Sequence, residues 1–206
     1  MNHKSQFINN LDINKSQTIV TYGTSLTAGG AWVEQLSDIL NKRYPELCTI
    51  MNSGAGGMWS NWGVDNLDER VISKQPDTVF IEFSINDAFL QYETSVEQAK
   101  DNLNNMIDRI KDANPSAEVI LMVMNPPTNE HLERRPNIVS YNLMYHDVAQ
   151  ERNLLIIDHY NAWKEILDNE PHHFFEYVPD GIHPNAAGCE KVITPAILKA
   201  IGIKYL

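Results

Sequence analysis

The sequence predicts an α/β fold built on one parallel sheet, and two observations carry that prediction. Five short apolar runs recur along the 206 residues, with segments of helical periodicity between them. The runs are nearly continuous in apolar character rather than alternating, as expected of strands covered on both faces. Strand, helix, strand, repeated, implies right-handed crossovers with helices on both sides of the sheet.

The first run is TIVTYG at 18–23, and the segment 31–44 after it places Trp32, Val33, Leu36, Ile39, Leu40 and Tyr44 on one helical stripe. The second is CTIMNSG at 48–54 and the third TVFIEFS at 78–84. In 94–113, Val96, Ala99, Leu103, Met106, Ile107 and Ile110 form one stripe, and Thr94 with Glu97 has the spacing of a capping box. EVILMVMN at 118–125 is the fourth run, a helix is predicted over 137–151 ending near Asn153, and LLIIDH at 154–159 is the fifth. The last helix, from about Asn185, contains Pro195, which predicts a kink or restart near Thr194. No composition shift or linker divides the chain, so residues 1–206 read as one domain, with 1–17 as a polar N-terminal extension. The expected architecture is a three-layer αβα sandwich, flavodoxin-like, with a five-stranded sheet in the order 2-1-3-4-5.

Composition narrows the function. A formal net charge of −11 disfavours nucleic acid or an anionic lipid surface, since both need a concentrated basic face. The basic pair Arg134-Arg135 reads as a solvated loop. The longest apolar stretches, such as VILMVM at 119–124, are too short to span a bilayer. The first seventeen residues lack the apolar centre of a secretory signal, which makes the expected location cytoplasmic. Cys48 and Cys189 have no metal-ligand spacing and are expected to be reduced and buried.

In a parallel sheet, ligands gather beyond the carboxyl ends of the strands, so each strand end directs the search. Ser25 follows the first run in VTYGTSLTAGG; alone, it is most simply a helix N-cap. NSGAGGMWS at 52–60 offers glycines that let a backbone N–H approach a ligand, or only a flexible loop. Asn86 in SINDA, just past the third run, has a side-chain amide able to meet an oxyanion or to close its own turn. In PDGIHPN, Asp180 and His183 lie three apart, where a carboxylate can fix an imidazole tautomer. The four together supply a nucleophile, a base, an orienting acid and oxyanion donors, all expected at one sheet edge.

With those motifs in that order, the chain resembles the SGNH hydrolases, also called the GDSL-like esterase/lipase family, from about Thr18 to Ile201. YGTSLT corresponds to the block carrying the nucleophile, which implies that role for Ser25. NSGAGG corresponds to the second block, implying an oxyanion N–H at Gly57, with Gly56 as the alternative. SINDA implies an oxyanion role for Asn86, and DGIH implies Asp180 and His183. Two positions depart from the family pattern, which usually has Asp where Thr24 stands and Gly where Ser84 stands.

The resemblance implies acyl transfer to serine. His183 takes the Ser25 proton, Asp180 supports the imidazolium, and Ser25 N–H, Gly57 N–H and the Asn86 amide hold the oxyanion, with no metal or organic cofactor required. The expected partner is a small ester, with short acyl groups and O-acetyl groups on sugars favoured. Trp59, Trp62 and Phe89 are candidate substrate contacts, and Tyr92 falls near the same loops. A lysophospholipase- or thioesterase-type hydrolase, an acyltransferase using the same serine, and a silent binding module stay open as alternatives. His159 beside Asp158 makes a rival pair, read as structural because neighbours on a strand face opposite ways. His172 and His173 read as an exposed loop, and His131 and His146 carry no partner signal.

Overall fold

The computed structural model describes residues 5–203. Five strands, β1 (Gln17–Gly23), β2 (Cys48–Asn52), β3 (Thr78–Glu82), β4 (Glu118–Val123) and β5 (Leu155–Asp158), pair in parallel in the order β2-β1-β3-β4-β5. Residues 19–23 of β1 lie opposite 78–82 of β3, while 17–21 lie opposite 48–52 of β2. Burial follows position in the sheet. β3 is buried throughout and β4 almost so, whereas the edge strands β2 and β5 are only partly covered. This is why the central runs are the more continuously apolar and the edge runs mixed.

Helices cover both faces. Trp32–Arg43 and Thr194–Ala200 pack together on one side, and Ser60–Asp65, Val96–Ala113 and Ile138–Arg152 pack in succession on the other. Trp32, Leu36, Leu103, Met106, Ile110 and Val148 have essentially no exposed surface. No helix among the described residues is long and apolar enough to cross a membrane. Cys48 and Cys189 are free and buried.

Several local expectations shift. Ser95, not Thr94, caps Val96–Ala113, accepting the Gln98 N–H at 3.0 Å, while the Gln98 side chain turns to Asn102 instead of closing a box. Within the stretch read as a polar extension, Gln6–Asp12 is a helix with Phe7, Ile8 and Leu11 buried. The Glu118 carboxylate takes the N–H groups of Gln6 and Phe7 at 3.0 and 2.9 Å, satisfying donors that a helix start leaves unpaired. The C-terminal segment is broken near the proline: Asn185 caps Ala186–Gly188, a π-helical turn spans Cys189–Ile193, and Thr194–Ala200 follows. Asn153 ends Ile138–Arg152 in the left-handed conformation.

Candidate active site

Because all five strands run the same way, their carboxyl ends share one edge, and the motif residues follow those ends. β1 ends at Gly23; Thr24 then caps the one-turn helix Ser25–Ala28, its hydroxyl accepting the Leu26 N–H at 3.2 Å. Ser25 is thus the first residue of a helix, not its cap. Its hydroxyl lies 2.9 Å from Nε2 of His183.

His183 is held by its own turn. Nδ1 meets Asp180 Oδ2 at 2.6 Å, and Asp180 Oδ1 accepts the N–H groups of Ile182 and His183 at 3.0 and 2.8 Å. A carboxylate can only accept, so Nδ1 carries the proton and Nε2 presents its lone pair to Ser25. Burial acts to raise the Asp180 pKa, but the hydrogen bonds from His183 and Ile182 prevail and hold it at about 2. The loop after β4 fixes this turn: Asn125 donates to Ile182 O at 3.0 Å, and Thr128 N–H donates to Gly181 O at 2.9 Å. Gly181 has φ +86°, and an added Cβ would sit 2.5 Å from Thr128 Oγ1, so the turn needs glycine there.

The candidate oxyanion donors come from the turns after β1, β2 and β3. Among the described residues, the backbone N–H groups of Ser25 and Gly57 make no hydrogen bond, while those of Thr24, Leu26 and Met58 are engaged. Gly57 turns the loop at φ +72° and its carbonyl accepts the Tyr92 hydroxyl. Asn86 sits on the one-turn helix Ser84–Asp87 and donates one amide hydrogen to Met58 O at 2.9 Å. Its oxygen accepts from Arg135 at 3.1 Å. The second amide hydrogen is free.

Arg135 corrects the sequence reading of a solvated basic pair. It is 6% exposed, and only Arg134 points outward. Its guanidinium also lies 4.7 Å over the Phe89 ring, which meets Tyr92 edge-on at 5.0 Å. Trp59 stacks on the Tyr92 face at 4.4 Å. Trp62 goes elsewhere, against Tyr22 at 5.8 Å and beneath Arg70. A pocket of about 480 Å³ adjoins the serine, lined by Ser25, Leu26, Gly30, Gly56, His183 and Cys189 among others.

The two departures from the family pattern acquire a physical account. Glu82, at the end of β3, is fully buried and accepts the Thr24 N–H and hydroxyl at 2.8 and 2.9 Å and the Thr27 hydroxyl at 2.8 Å. Burial raises its pKa and these hydrogen bonds pull it back, leaving it at about 7. A carboxyl therefore does stand behind the nucleophile turn, supplied by the neighbouring strand. The Ser84 hydroxyl donates to Asn142 at 3.0 Å, tying the Asn86 turn to helix Ile138–Arg152.

The remaining histidines separate cleanly. His159 is fully buried, and burial drives its pKa to about 4 against the pull of Asp158. Asp158 instead meets Nε2 of His146 at 3.0 Å, a partner the sequence did not signal. His172 and His173 are exposed, on the helix Pro171–Tyr177 rather than a loop.

A family model described as "GDSL-like Lipase/Acylhydrolase family" matches residues 20–191. An acetylxylan esterase of Geobacillus stearothermophilus is 26% identical over 187 residues, 86% of this chain and 84% of that protein. The thioesterase 1/protease 1/lysophospholipase L1 of Escherichia coli K12 is 26% identical over 176 residues, 82% of this chain and 76% of its own. Among solved structures, the G. stearothermophilus acetylxylan esterase superposes with TM-score 0.79 at 24% identity, covering 92% of this chain and 96% of its own. A lipase/acylhydrolase of Enterococcus faecalis gives TM-score 0.77 at 26% identity, with 90% and 95% covered. The chain belongs to the GDSL-like lipase/acylhydrolase family, the SGNH hydrolases, and is a carboxylic ester hydrolase of that type.

Proposed function

We propose that this protein is a serine esterase that removes short acyl groups, with O-acetyl groups on carbohydrate as its substrate class, through an acyl-enzyme on Ser25. The observation that carries the reading is the unbroken line Asp180–His183–Ser25, at 2.6 and 2.9 Å, supported by N–H groups at Ser25 and Gly57 that have no other partner. His183 Nε2 accepts the serine proton as Oγ bonds to the ester carbon. The carbonyl electrons move onto oxygen, where Ser25 N–H, Gly57 N–H and the free Asn86 hydrogen receive them. Collapse breaks the bond to the alcohol, which leaves with the proton from His183. Water then repeats the sequence, giving its proton to His183 and releasing the acid and free serine.

Two features favour a short acyl group on a sugar. Behind Gly30 an added Cβ would meet Leu26 O at 2.1 Å and the Trp32 indole at 2.6 Å, so packing closes that side of the pocket. The Trp59–Tyr92 stack beside Gly57 offers a flat apolar face of the kind sugar rings bind. The acetylxylan esterase among the relatives agrees with both. A second reading, a hydrolase of longer acyl chains, draws on the apolar side chains of the 480 Å³ pocket and on the E. coli relative.

The test is steady-state and burst kinetics on p-nitrophenyl esters from acetate to decanoate, alongside acetylated xylooligosaccharides. Acetate should be cleaved faster than decanoate, and Ser25→Ala should abolish both burst and turnover. Full activity in Ser25→Ala overturns the mechanism, and a reversed chain-length profile favours the second reading.

A further inference from the structure

We infer that Arg135 is a positioning residue for the oxyanion site: it fixes which end of the Asn86 amide faces the reacting carbonyl. This rests on the proposed oxyanion role of Asn86. An asparagine amide can turn over, exchanging its oxygen and nitrogen ends, and in the wrong orientation it would present a lone pair to a developing negative charge. Two contacts forbid that here. The guanidinium can only donate, so its contact at 3.1 Å selects Oδ1; the Met58 carbonyl can only accept, so its contact at 2.9 Å selects Nδ2. With both satisfied, one orientation survives, and the remaining N–H is the only group left to meet the substrate.

The choice of arginine follows from reach. Nε donates to Ile85 O at 2.7 Å while Nη2 donates to Asn86 Oδ1, so one rigid fork grips two consecutive residues of the same turn. Nη1 adds a long contact to His131 O at 3.4 Å. A lysine, with a single flexible ammonium, cannot hold that pair in fixed geometry. Among the described residues Arg135 forms no ion pair, although it is 6% exposed. A buried cation facing only carbonyls, an amide and the Phe89 ring is costly for stability alone. It has a use beside a site that must hold an anion. A positive group on Oδ1 also polarises the amide, strengthening the opposite N–H as a donor.

The experiment compares Arg135→Met, Arg135→Lys, Asn86→Ala and the Asn86→Ala/Arg135→Met double variant on p-nitrophenyl acetate. Rates are expressed per active site, titrated to completion with a fluorophosphonate, so that any unfolded fraction drops out. Arg135→Met should lower kcat by about tenfold or more, up to the ~10²–10³ expected for losing one oxyanion donor outright, and leave KM within about twofold. Arg135→Lys should recover only part of the loss. In the Asn86→Ala background the same arginine change should alter kcat by no more than about twofold, because the amide it orients is gone. Wild-type kcat in Arg135→Met, or an equal loss with and without Asn86, overturns the inference while leaving the serine mechanism standing. Unchanged kcat in Asn86→Ala overturns the oxyanion assignment itself, and this inference with it.

Discussion

Removing the Asn86 amide should slow the chemical step while hardly touching substrate binding. The three candidate donors are two backbone N–H groups and one side-chain N–H. Asn86 has little else to give, because Oδ1 is taken by Arg135 and its other hydrogen by Met58 O. Asn86→Ala therefore deletes one donor of three, for which kcat should fall ~10²–10³-fold, about 3–4 kcal/mol of transition-state stabilisation. The carbonyl carries its full negative charge only at the tetrahedral stage, so KM should stay within about threefold. The alanine variant also strips a partner from the half-buried Met58 O and from buried Arg135, costing about 1–3 kcal/mol in stability. Asn86→Asp separates the two effects. It keeps an acceptor for Arg135 and near-identical shape, yet replaces the donor with a charge that repels the oxyanion, so it should lose at least as much kcat with less loss of Tm. The assay is per-site kinetics on p-nitrophenyl acetate with thermal melts of both variants. A change confined to KM, or an aspartate variant with near-normal kcat, would refute the reasoning.

Gly57→Ala should lower kcat through the backbone alone: the Cβ has room, its nearest neighbour being Tyr92 at 3.7 Å, but φ +72° is unfavourable for alanine by about 1–3 kcal/mol, and relaxation turns the N–H away. A crystal structure of an active variant with φ unchanged would count against this. Trp59→Ala should raise KM for acetylated xylooligosaccharides while leaving p-nitrophenyl acetate kinetics within about twofold, because only the former is large enough to use the Trp59–Tyr92 face; equal effects on both substrates would remove the sugar face from the account. Asp87 should make the fold pH-sensitive, because burial raises its pKa from 3.8 to about 7, with the hydrogen bonds from Ser60 opposing. The unfolded chain then releases this proton before the folded one does, so Asp87 destabilises progressively as pH rises from about 4 to 7, and its contribution is least harmful below that window. Asp87→Asn should therefore gain stability relative to the parent as pH rises from about 4 to 7, by about 1.4 kcal/mol per unit, and level off above that; a constant difference in urea unfolding across that range would contradict it. His159, buried with a lowered pKa, acts in the opposite sense over much of that range, so the comparison with the parent is the informative one.

What could be read from the chain follows from the range of the interactions involved. β3 and β4 announce themselves because both faces are buried, so their central positions are apolar. Asp180 and His183 are legible because a three-residue spacing brings their side chains together whatever the rest does. Ser25 and Asn86 are legible through the rule that parallel strands deliver their following turns to one edge. Arg135 is not, because its partners lie 49 and 50 residues away and its neighbour Arg134 is a solvated arginine of identical local pattern. The helix Gln6–Asp12 hides for a related reason: Phe7, Ile8 and Leu11 are few among polar neighbours, and the carboxylate that caps it comes from Glu118. Glu82 did leave a trace, as an acid inside an otherwise apolar run, and its hydrogen bonds to Thr24 and Thr27 explain why it is tolerated.

The contacts divide the site into two bodies with different supports. One is the proposed proton path, Asp180 and His183 on a turn stapled by Asn125 and Thr128 from the loop after β4. The other is a closed circuit around the proposed oxyanion donors: Met58 O meets Asn86, Asn86 meets Arg135, Arg135 covers Phe89, Phe89 abuts Tyr92, and the Tyr92 hydroxyl returns to Gly57. Trp59 is not a link in that circuit but stacks on one of its members, Tyr92. A sugar ring pressed against the aromatic face would therefore bear on the same unit that aims the oxyanion donors, while the acid–base pair stays anchored elsewhere. Binding energy from the part of the substrate that does not react has a direct mechanical route to the groups that matter in the transition state. On this arrangement, sugar contacts should appear in kcat for acetylated oligosaccharides as well as in KM, and loss of the Tyr92 hydroxyl in Tyr92→Phe should reduce that benefit with Ser25 and His183 still in register.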